Sequence, residues 1–494
     1  MMMTRKTIIL SLLVVAALAV NAQDNRPTFE EYSQAKQQAF NQHLRQRGQS
    51  FDSIRRQANE RFAAKMAEAW ILFDMTPAET EPQMPEPDKP RVKDDDTPQP
   101  VKPVKPNETI IPPMPDKDKP NPTPAPTEPE KPKPTAKWLS FSYYNTPCKV
   151  RVDNSLRIKL RDVDEKTVAQ AWKQLSGEAS EVLVADFIRL IAEMRLCDWA
   201  VLDVFRTFSE KFLGRDSNEA VLMQVYLLAQ TGHKARIGRI GNSLVMLAPF
   251  AEKVYAYTYY NIDGMEFYNL TGERAGNGCF IYDMSFPGEQ LMSLRPYPLP
   301  LFAESPTALR ELGSTTFPEM KAAVKANRNL VDFLAAYPHC RWENYVYAGL
   351  SEEVMKSLYP ALHSALKGKP LHEAADMLLN FMHEAFDYKT DHAQFGYERT
   401  LFADEMFFYH YSDCEDRAVL YTILVRDLLG LDAALLVYPD HVATAIALPE
   451  NVEGSYILVN GKRYLMCDPT YIGSHIGDVA SNFRNIEPKV IVIK

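Results

Sequence analysis

A run of twelve residues from Ala418 to Leu429 is apolar at almost every position. A helix that is apolar on all faces is typical of the inside of a domain, whereas a surface helix keeps one polar face. Just upstream, Ser412 and Glu415 have the three-residue spacing of a capping box. The pattern therefore predicts a buried helix that starts at Asp413 and carries Cys414 in its first turn.

Short apolar stretches separated by turn residues follow this helix, which Gly430 is expected to end. They predict strands at Ala433–Tyr438, His441–Leu448, Tyr456–Val459 and Arg463–Cys467. The Asn460-Gly461 pair between the last two is a strong signal for a tight hairpin turn. With a further helix predicted at Leu371–Phe386, the pattern is that of an α+β domain in which a helix packs on an antiparallel sheet.

The same order of features occurs 198 residues earlier in the chain. Ala220-Val-Leu222, Gly232 and Ala235 match the later pattern without a gap. An Asp263-Gly264 hairpin signal follows 44 residues after Ala220, close to the 43-residue spacing of the later copy. The chain therefore contains a predicted internal repeat of the core pattern, although any helix that leads into a sheet shares some of these positions.

The region before residue 137 differs in composition from the rest. From Phe29 to Phe73, apolar residues recur at intervals of three and four, which predicts a helical segment, broken near Gly48, for partner binding or self-packing. From Thr76 to Thr135, proline alternates with Lys, Glu and Asp, which predicts a disordered, semi-rigid, extended spacer. The predicted organisation is a signal peptide (1–22), a helical segment (23–75), a Pro-rich disordered linker (76–136), a first core copy (137–300) and a second (301–494).

The first residues have the layout of a secretory signal peptide, with Arg5 and Lys6 before the apolar run Ile8–Val20. The run is shorter than the roughly twenty residues that a membrane-spanning helix needs, so cleavage after Ala22 is predicted rather than anchoring. No cysteine lies near this point, which argues against a lipid anchor. We therefore expect an exported protein, periplasmic or secreted, with no membrane span after cleavage.

Composition excludes several classes of function. The net charge of -9 and the pI near 5.7 give no basic surface for nucleic acid. The six cysteines are widely spaced, with no Cys-x-x-Cys pair and no cluster of metal ligands, so neither a metal nor another cofactor is predicted. A catalytic thiol would stay reduced and would leave five cysteines, an odd number that argues against a disulfide framework.

Cys414, His441 and Asp468 are the candidate reactive residues on these elements. A thiol becomes a strong nucleophile as a thiolate, and a helix N-terminus together with a nearby imidazolium lowers its pKa. An imidazole can take the thiol proton and later protonate a leaving amine, while a carboxylate fixes the tautomer of the ring. A single cysteine before an apolar helix is more often a packed small hydrophobe, so the prediction of a triad depends on the ordered set of three.

This segment resembles the transglutaminase-like superfamily, which comprises thiol enzymes of papain-like architecture. The family motifs are a Cys at the start of the core helix, a His on a following strand and an Asp before Pro-Thr, here Asp468-Pro-Thr470. The resemblance covers Tyr388 to Ile476 and implies that Cys414 is the nucleophile, His441 the general base and acid, and Asp468 the orienting residue. Family members often have an aromatic residue soon after the His, but Val-Ala-Thr follows His441 here, so the usual wall of the substrate cleft is missing from this part of the sequence.

Further residues are candidates for supporting roles. The backbone N–H of Cys414 is a natural donor to an oxyanion, and a second donor should come from upstream. Tyr388 fits the family habit of an aromatic residue there, Gln394 is the alternative, and simple packing is an alternative for both. His410 is a rival base on a loop with no evident carboxylate partner. Cys467 should point away from the site, because alternate strand residues face opposite sides.

In the register of the repeat, the triad positions of the first copy are occupied by Asp216, by Asn242 or Ser243, and by Thr271. None of these has the residue type of its catalytic counterpart. The first copy is therefore predicted to keep the fold and to lack the chemistry. A degenerate copy of this kind supplies structure or one wall of a substrate groove.

Together these patterns predict an exported α+β protein in which a degenerate transglutaminase-like domain precedes an active one. The expected reaction is attack of a thiolate on an amide carbonyl, release of an amine, and resolution of the acyl-enzyme. Hydrolysis of protein or cell-wall peptide amides, by a peptidase or amidase, is favoured because nothing marks a dedicated amine site. The alternatives are a non-catalytic binding or scaffold protein with a vestigial triad, and a protein-crosslinking acyltransferase.

Overall fold

The computed structural model describes residues 55–80, 89–93, 103–110, 136–272, 278–282 and 284–493. Its helices are α1 (Arg55–Met66), α2 (Glu165–Leu175), α3 (Ala179–Glu193), α4 (Asp198–Leu213), α5 (Asn218–Gln230), α6 (Arg328–Ala335), α7 (Trp342–Ala348), α8 (Glu352–Leu366), α9 (Leu371–Ala385), α10 (Asp391–Gln394) and α11 (Cys414–Leu429). The predicted signal peptide and the helical pattern before Arg55 lie outside the described residues.

The strands are β1 (Ile71–Asp74), β2 (Pro103–Val104), β3 (Glu108–Ile110), β4 (Lys137–Tyr143), β5 (Thr146–Val152), β6 (Arg236–Ile240), β7 (Ser243–Ala248), β8 (Tyr259–Ile262), β9 (Met265–Asn269), β10 (Gly278–Ile281), β11 (Arg310–Gly313), β12 (Lys321–Val324), β13 (Asp387–Tyr388), β14 (Tyr411–Ser412), β15 (Ala433–Tyr438), β16 (His441–Ile446), β17 (Tyr456–Val459), β18 (Lys462–Cys467) and β19 (Lys489–Ile493). The fold is mixed α+β, as predicted.

Two sheets organise the fold, one in the upstream lobe (136–300) and one in the downstream lobe (301–493). The upstream sheet has the order β1-β10-β6-β7-β9-β8, and the downstream sheet has the order β2-β17-β18-β16-β15-β19-β3. Five strands of each, β10-β6-β7-β9-β8 and β19-β15-β16-β18-β17, follow the core helix in the same sequence order and occupy the same places. Each of these five strands is antiparallel to its neighbours among the five.

The local predictions for the downstream lobe are confirmed with small changes in their bounds. Gly430 has a φ of 67° in the left-handed region and ends α11. The turn between β17 and β18 has positive φ at both Asn460 (51°) and Gly461 (77°), the conformation that a tight hairpin turn requires. The strand that starts at His441 ends at Ile446, two residues earlier than predicted.

A continuous apolar core joins the two lobes. The core helices α5 and α11 are buried along most of their length and pack on their sheets within the same cluster. At the junction, the rings of Tyr144 and Phe333 lie 5.4 Å apart, and Phe302 contacts both of them. No helix in the described part of the chain has the length and apolar character to cross a membrane.

The segment before the linker is not helical throughout, which corrects the predicted helix from Phe29 to Phe73. Helix α1 ends at Met66 and β1 follows, because the apolar residues after Trp70 pair with the edge strand β10 of the upstream sheet. Helix α1 is also part of the lobe rather than a separate module. The ring of Phe62 lies 4.8 Å from Trp172, and the Asn59 amide donates to Gln230 Oε1 at 3.0 Å.

Parts of the Pro-rich linker are bound to the downstream lobe, which corrects the prediction of a disordered spacer for those residues. Strand β2 pairs in parallel with β17, and β3 pairs in parallel with β19, at opposite edges of the downstream sheet. Three residues separate Val104 from Glu108, so the four steps between them span at most about 14 Å. Six strand spacings in a flat sheet would be about 29 Å. The sheet must therefore be curved so that residues 103–110 close the gap between its edges. Pro103 is tolerated because it lies at the start of an edge strand.

Candidate active site

Cys414 is the first residue of helix α11, and Asp413 is its N-cap. The capping box is formed by Asp413 and Asp416, and the Asp413 N–H donates to Asp416 Oδ2 at 3.3 Å. The predicted pair of Ser412 and Glu415 is therefore wrong by one position, because two overlapping pairs have the same spacing. The prediction that Cys414 lies in the first turn is confirmed.

His441 is the first residue of β16, and Asp468 directly follows β18, the neighbouring strand. His441 Nε2 donates to Asp468 Oδ2 at 2.8 Å, and both side chains are buried. Burial alone would raise the pKa of Asp468, but the charge and hydrogen bond of His441, with the Thr470 N–H, hold it below its usual value. The structure thus brings His441 and Asp468 together as a hydrogen-bonded pair of imidazole and carboxylate.

The thiol of Cys414 lies against the start of the same strand. Its Sγ accepts the N–H of Val442 at 3.3 Å and donates to Glu415 Oε2, also at 3.3 Å. The predicted nucleophile is therefore next in space to the residue that follows His441. With Nε2 of His441 bonded to Asp468, Nδ1 is buried with no hydrogen-bond partner among the described residues. This second nitrogen is the one available to exchange a proton with the thiol.

A second histidine, which sequence reasoning missed, bonds the backbone of Asp468. His383 lies on α9, and its Nε2 donates to the backbone carbonyl of Asp468 at 3.0 Å. Burial is the main reason why the pKa of His383 lies below its usual value, which favours the neutral ring. The only signal in the sequence was a histidine on the apolar side of a predicted helix, which is not specific.

The two predicted oxyanion donors lie on the segment that precedes the thiol. Tyr388 forms β13, which pairs in parallel with β14 so that Tyr388 lies opposite Ser412, and its ring is 5.6 Å from the guanidinium of Arg417. Gln394 ends α10, whose first residue, Asp391, donates its N–H to Asp413 Oδ2 at 3.0 Å. Both segments are therefore tied to the start of α11. A role for either side chain at an oxyanion stays a prediction.

The side chains of His410 and Cys467 have partners outside the triad. His410 is exposed at the surface, where its Nε2 is 2.9 Å from Asp387 Oδ2, so this ring has a carboxylate partner that the sequence did not reveal. Cys467 packs in the core with Tyr421 of α11, and burial raises the pKa of its thiol. Strand alternation places its side chain on the face of the sheet opposite to that of Asp468.

Buried carboxylates surround the start of α11. Two groups of three have oxygens within 4.8 Å of one another, namely Asp391, Asp413 and Asp416, and Asp391, Glu398 and Glu415. These are the residues that would hold a cation if one were bound. Their oxygens also accept backbone N–H groups, as Asp416 Oδ1 does from Leu401 at 2.7 Å. The cluster therefore fixes the loop 391–402 over the helix start, and Arg417 beneath it has its pKa lowered to about 10 by burial.

An aromatic ring covers the imidazole. Phe483 stacks on His441 with ring centroids 5.1 Å apart and an angle of 7° between the planes. It lies 42 residues after His441 in sequence and supplies an aromatic wall where Val-Ala-Thr does not. Cys414 is 0% exposed and His441 is 1% exposed, so both groups are shielded from solvent.

The upstream lobe has polar residues at the corresponding places, but one differs from the predicted correspondence. Asp216 is largely exposed, whereas Asn218 is the first residue of α5 and its Oδ1 accepts the N–H of Leu244 at 2.8 Å. Asn218, rather than Asp216, therefore makes the contact with the second core strand that Cys414 makes downstream. Ser243 begins β7 as His441 begins β16.

The chain matches no family model, no curated protein and no solved structure. The geometry of these side chains therefore carries any inference about function.

Proposed function

We propose that this protein is an exported, transglutaminase-like cysteine hydrolase that acts on protein or cell-wall peptide amides. One observation carries the proposal. A His–Asp pair with an Nε2–Oδ2 distance of 2.8 Å lies at the start of the strand against which the helix-terminal thiol of Cys414 packs. The chemistry needs the three groups to follow one another in space, since the carboxylate orients the ring and the ring activates the thiol.

Each residue would have a defined step. Nδ1 of His441 takes the thiol proton, and the thiolate of Cys414 attacks the amide carbonyl carbon. The N–H groups at the start of α11 stabilise the oxyanion that forms. When the carbon–nitrogen bond breaks, His441 returns its proton to the departing amine, which leaves an acyl thioester. Water, deprotonated by the same ring, then attacks the thioester, releases the carboxylic acid and restores the thiol.

The fold part of the proposal is a papain-like core present in two copies. It is supported by the shared order of five strands after each core helix and by the hairpin turns at Asp263-Gly264 and Asn460-Gly461. A further parallel is the two-stranded hairpin before the helices of each lobe, β4–β5 upstream and β11–β12 downstream. The upstream copy would act as a structural partner.

One observation favours a second candidate, a binding or scaffold protein with a vestigial triad. The thiol of Cys414 donates to Glu415 in a closed site, and a nearby carboxylate opposes formation of a thiolate. A crosslinking acyltransferase uses the same acyl-enzyme and differs only in the nucleophile that resolves it.

Site-resolved alkylation tests the proposal without a known substrate. In the mature chain, the rate at which iodoacetamide modifies Cys414 should rise with pH around a midpoint well below the value of about 8.5 for an ordinary thiol. His441→Ala should move this midpoint up, while the buried thiol of Cys467, measured in the same digests, serves as an internal control. A Cys414 midpoint near 8.5 that is unchanged in His441→Ala would support the scaffold instead.

Two measurements refine the proposal. Mass spectrometry after incubation with a mixed peptide library distinguishes cut or deamidated amides from joined peptides, and joined peptides would favour the transferase. Sequencing of the N-terminus of the secreted chain should give Gln23, as cleavage after Ala22 requires. An uncleaved N-terminus would remove the argument for export by this route.

A further inference from the structure

A segment of the Pro-rich linker reaches the active site and completes a stack of three groups. The guanidinium of Arg91 lies 4.3 Å from the ring centroid of Phe483, whose ring also stacks on His441. Arg91 also forms an ion pair at 3.5 Å with Asp440, the residue before His441. The side chain of Arg91 is 19% exposed, so it is held against the lobe.

The backbone of this segment pairs with Ile472, in the chain that follows Asp468. Lys93 N–H donates to the carbonyl of Ile472 at 2.9 Å, and Ile472 N–H donates to the carbonyl of Arg91 at 2.8 Å. The ammonium of Lys93 is 2.9 Å from Asp478 Oδ2. Ile472 lies four residues after Asp468 in sequence. This short segment therefore contacts both the residue that precedes His441 and the chain that follows Asp468.

We infer that residues 89–93 are part of the active site: Arg91 clamps Phe483 onto His441, so that this segment orients the imidazole. The inference rests on the proposed function, because it assigns Phe483 and Arg91 as positioning residues for that triad. A parallel ring at 5.1 Å restricts rotation of the imidazole. Its π face also favours the imidazolium that forms when the thiol gives up its proton.

The titration of the thiol also depends on the charged groups packed around the pair. The titratable groups around His441 are Asp468, which bonds the ring, His383 and Tyr438, which interact with Asp468, and the Arg91–Asp440 ion pair beside the ring. Those that face Cys414 are Asp413, Glu415, Asp416 and Arg417, all at the start of α11. The test below leaves every one of them in place except Arg91, so a shift produced by a change at Phe483 reports on the stack.

The experiment measures alkylation of Cys414 in the full mature chain as a function of pH, for wild type, Phe483→Leu, Phe483→Trp and Arg91→Ala. The midpoint reports the thiol pKa. Phe483→Leu should raise the midpoint by about half a unit to one unit, while Phe483→Trp should restore it. Arg91→Ala, which releases the ring of Phe483, should raise the midpoint by a smaller amount.

Arg157→Ala is the matched control, because Arg157 also lies 4.3 Å over a phenylalanine ring, that of Phe212, in the upstream lobe. It should leave the midpoint unchanged. Wild-type midpoints in both Phe483→Leu and Arg91→Ala would overturn the inference. If Phe483→Leu does not fold, an unchanged midpoint in Arg91→Ala overturns it alone. His441→Ala separates the two claims: if only this variant moves the midpoint, the triad stands without the clamp, and if it does not, the proposed function itself fails.

Discussion

The core helices α5 and α11 begin against the second core strand of their sheets with side chains of different chemistry. In the upstream lobe, the amide oxygen of Asn218 accepts the N–H of Leu244 at 2.8 Å. In the downstream lobe, the sulfur of Cys414 accepts the N–H of Val442 at 3.3 Å. Sulfur is the weaker acceptor, so the downstream junction has the less favourable hydrogen bond. Such a local loss is expected at a site selected for reactivity rather than for stability.

The residues that follow strands β9 and β18 also differ in the groups that they bond. Thr271 Oγ1 accepts the N–H of Met246 at 2.6 Å, so this hydroxyl stabilises the backbone of its own sheet. At the corresponding strand end, Asp468 bonds the side chain of His441 with one oxygen and the Thr470 N–H with the other. Both lobes therefore place a polar side chain at this strand end, but only the downstream one bonds a second side chain.

The surroundings of the two sites also differ. The start of α5 borders an open cleft of about 540 Å³ whose walls include Tyr144, Asp203 and Arg206. In the downstream lobe, Phe483 and Arg91 instead cover His441, which begins the strand beside the start of α11. Phe483 lies in the connection between β18 and β19 and Arg91 lies in the linker, so neither belongs to a strand or helix of the shared frame.

The largest effect should come from substituting Asp468, compared with the corresponding strand-end residue Thr271 upstream. Asp468→Asn should keep the fold and lower turnover by up to about four orders of magnitude, because the imidazole then takes the wrong tautomer. Thr271→Val, the matched change upstream, should leave turnover within about twofold, since the hydroxyl of Thr271 accepts a backbone N–H of its own sheet. Steady-state kinetics on the cleaved peptide check both. A fall of less than tenfold for Asp468→Asn would mean that another group orients His441.

A charge in the upstream core should damage both lobes. Val225 is 1% exposed on α5, so Val225→Asp buries an unpaired carboxylate and should lower the free energy of unfolding by about 3–5 kcal/mol. Because Tyr144, Phe302 and Phe333 join the cores, we expect activity to fall in parallel. Ile188→Asp is the control, as Ile188 is 39% exposed and the change should cost about 0.5 kcal/mol or less. Full activity in a destabilised Val225→Asp protein would instead show two independent modules.

Each lobe also anchors its first hairpin through a helix carboxylate. Asp186 on α3 accepts from the backbone N–H and the guanidinium of Arg151 on β5, at 2.7 to 2.9 Å. Glu384 on α9 accepts from Thr315, Thr316 and their backbone N–H groups beside β11. Burial opposes ionisation in both cases, but these bonds lower the pKa of Asp186 below its usual value and that of Glu384 to about 2.

The two anchors should therefore weaken together in acid. A carboxylate whose pKa is lowered on folding stabilises the fold above its unfolded pKa, and this contribution is lost as the pH falls through the folded value. At pH 7, Asp186→Asn should cost about 2 kcal/mol and the more exposed Glu384→Gln about 1 kcal/mol. Urea unfolding from pH 7 down to pH 2 should show both differences shrinking below about pH 4.5. A difference that grows towards acid would contradict the anchor role.

Sequence reasoning succeeded where a feature depends on neighbours in the chain. The bounds of α11, the strands β15 and β17 and the turn at Asn460-Gly461 follow from residue spacing alone. The capping pair was missed because Ser412/Glu415 and Asp413/Asp416 have the same spacing, and only the tertiary environment selects between them.

Features that depend on distant parts of the chain were not predictable. Arg91 and Phe483 are 392 residues apart, and His383 lies 85 residues before Asp468. Arg91 is the only arginine between residues 76 and 136, but nothing in its neighbours in sequence indicates a partner near residue 483. Strand β1 has the spacing of a helix in the sequence, and its partner strand β10 lies about 200 residues away. Such contacts depend on complementary surfaces that form only after the lobes have folded.

The smallest expected effect comes from a comparison of Asn218 with Asp216, which tests which of them corresponds to Cys414. Asn218→Ala removes the bonds to Leu244 N–H and to the Asn242 carbonyl and should lower the free energy of unfolding by about 1–2 kcal/mol. Asp216→Asn should cost less than about 0.5 kcal/mol, because Asp216 is 82% exposed and asparagine tolerates its positive φ of 56°. Urea unfolding at one pH compares the two, with turnover expected to stay near wild type in both. If Asp216→Asn were the more costly change, the gapless register of the repeat would hold at the helix start and the shift to Asn218 would be wrong.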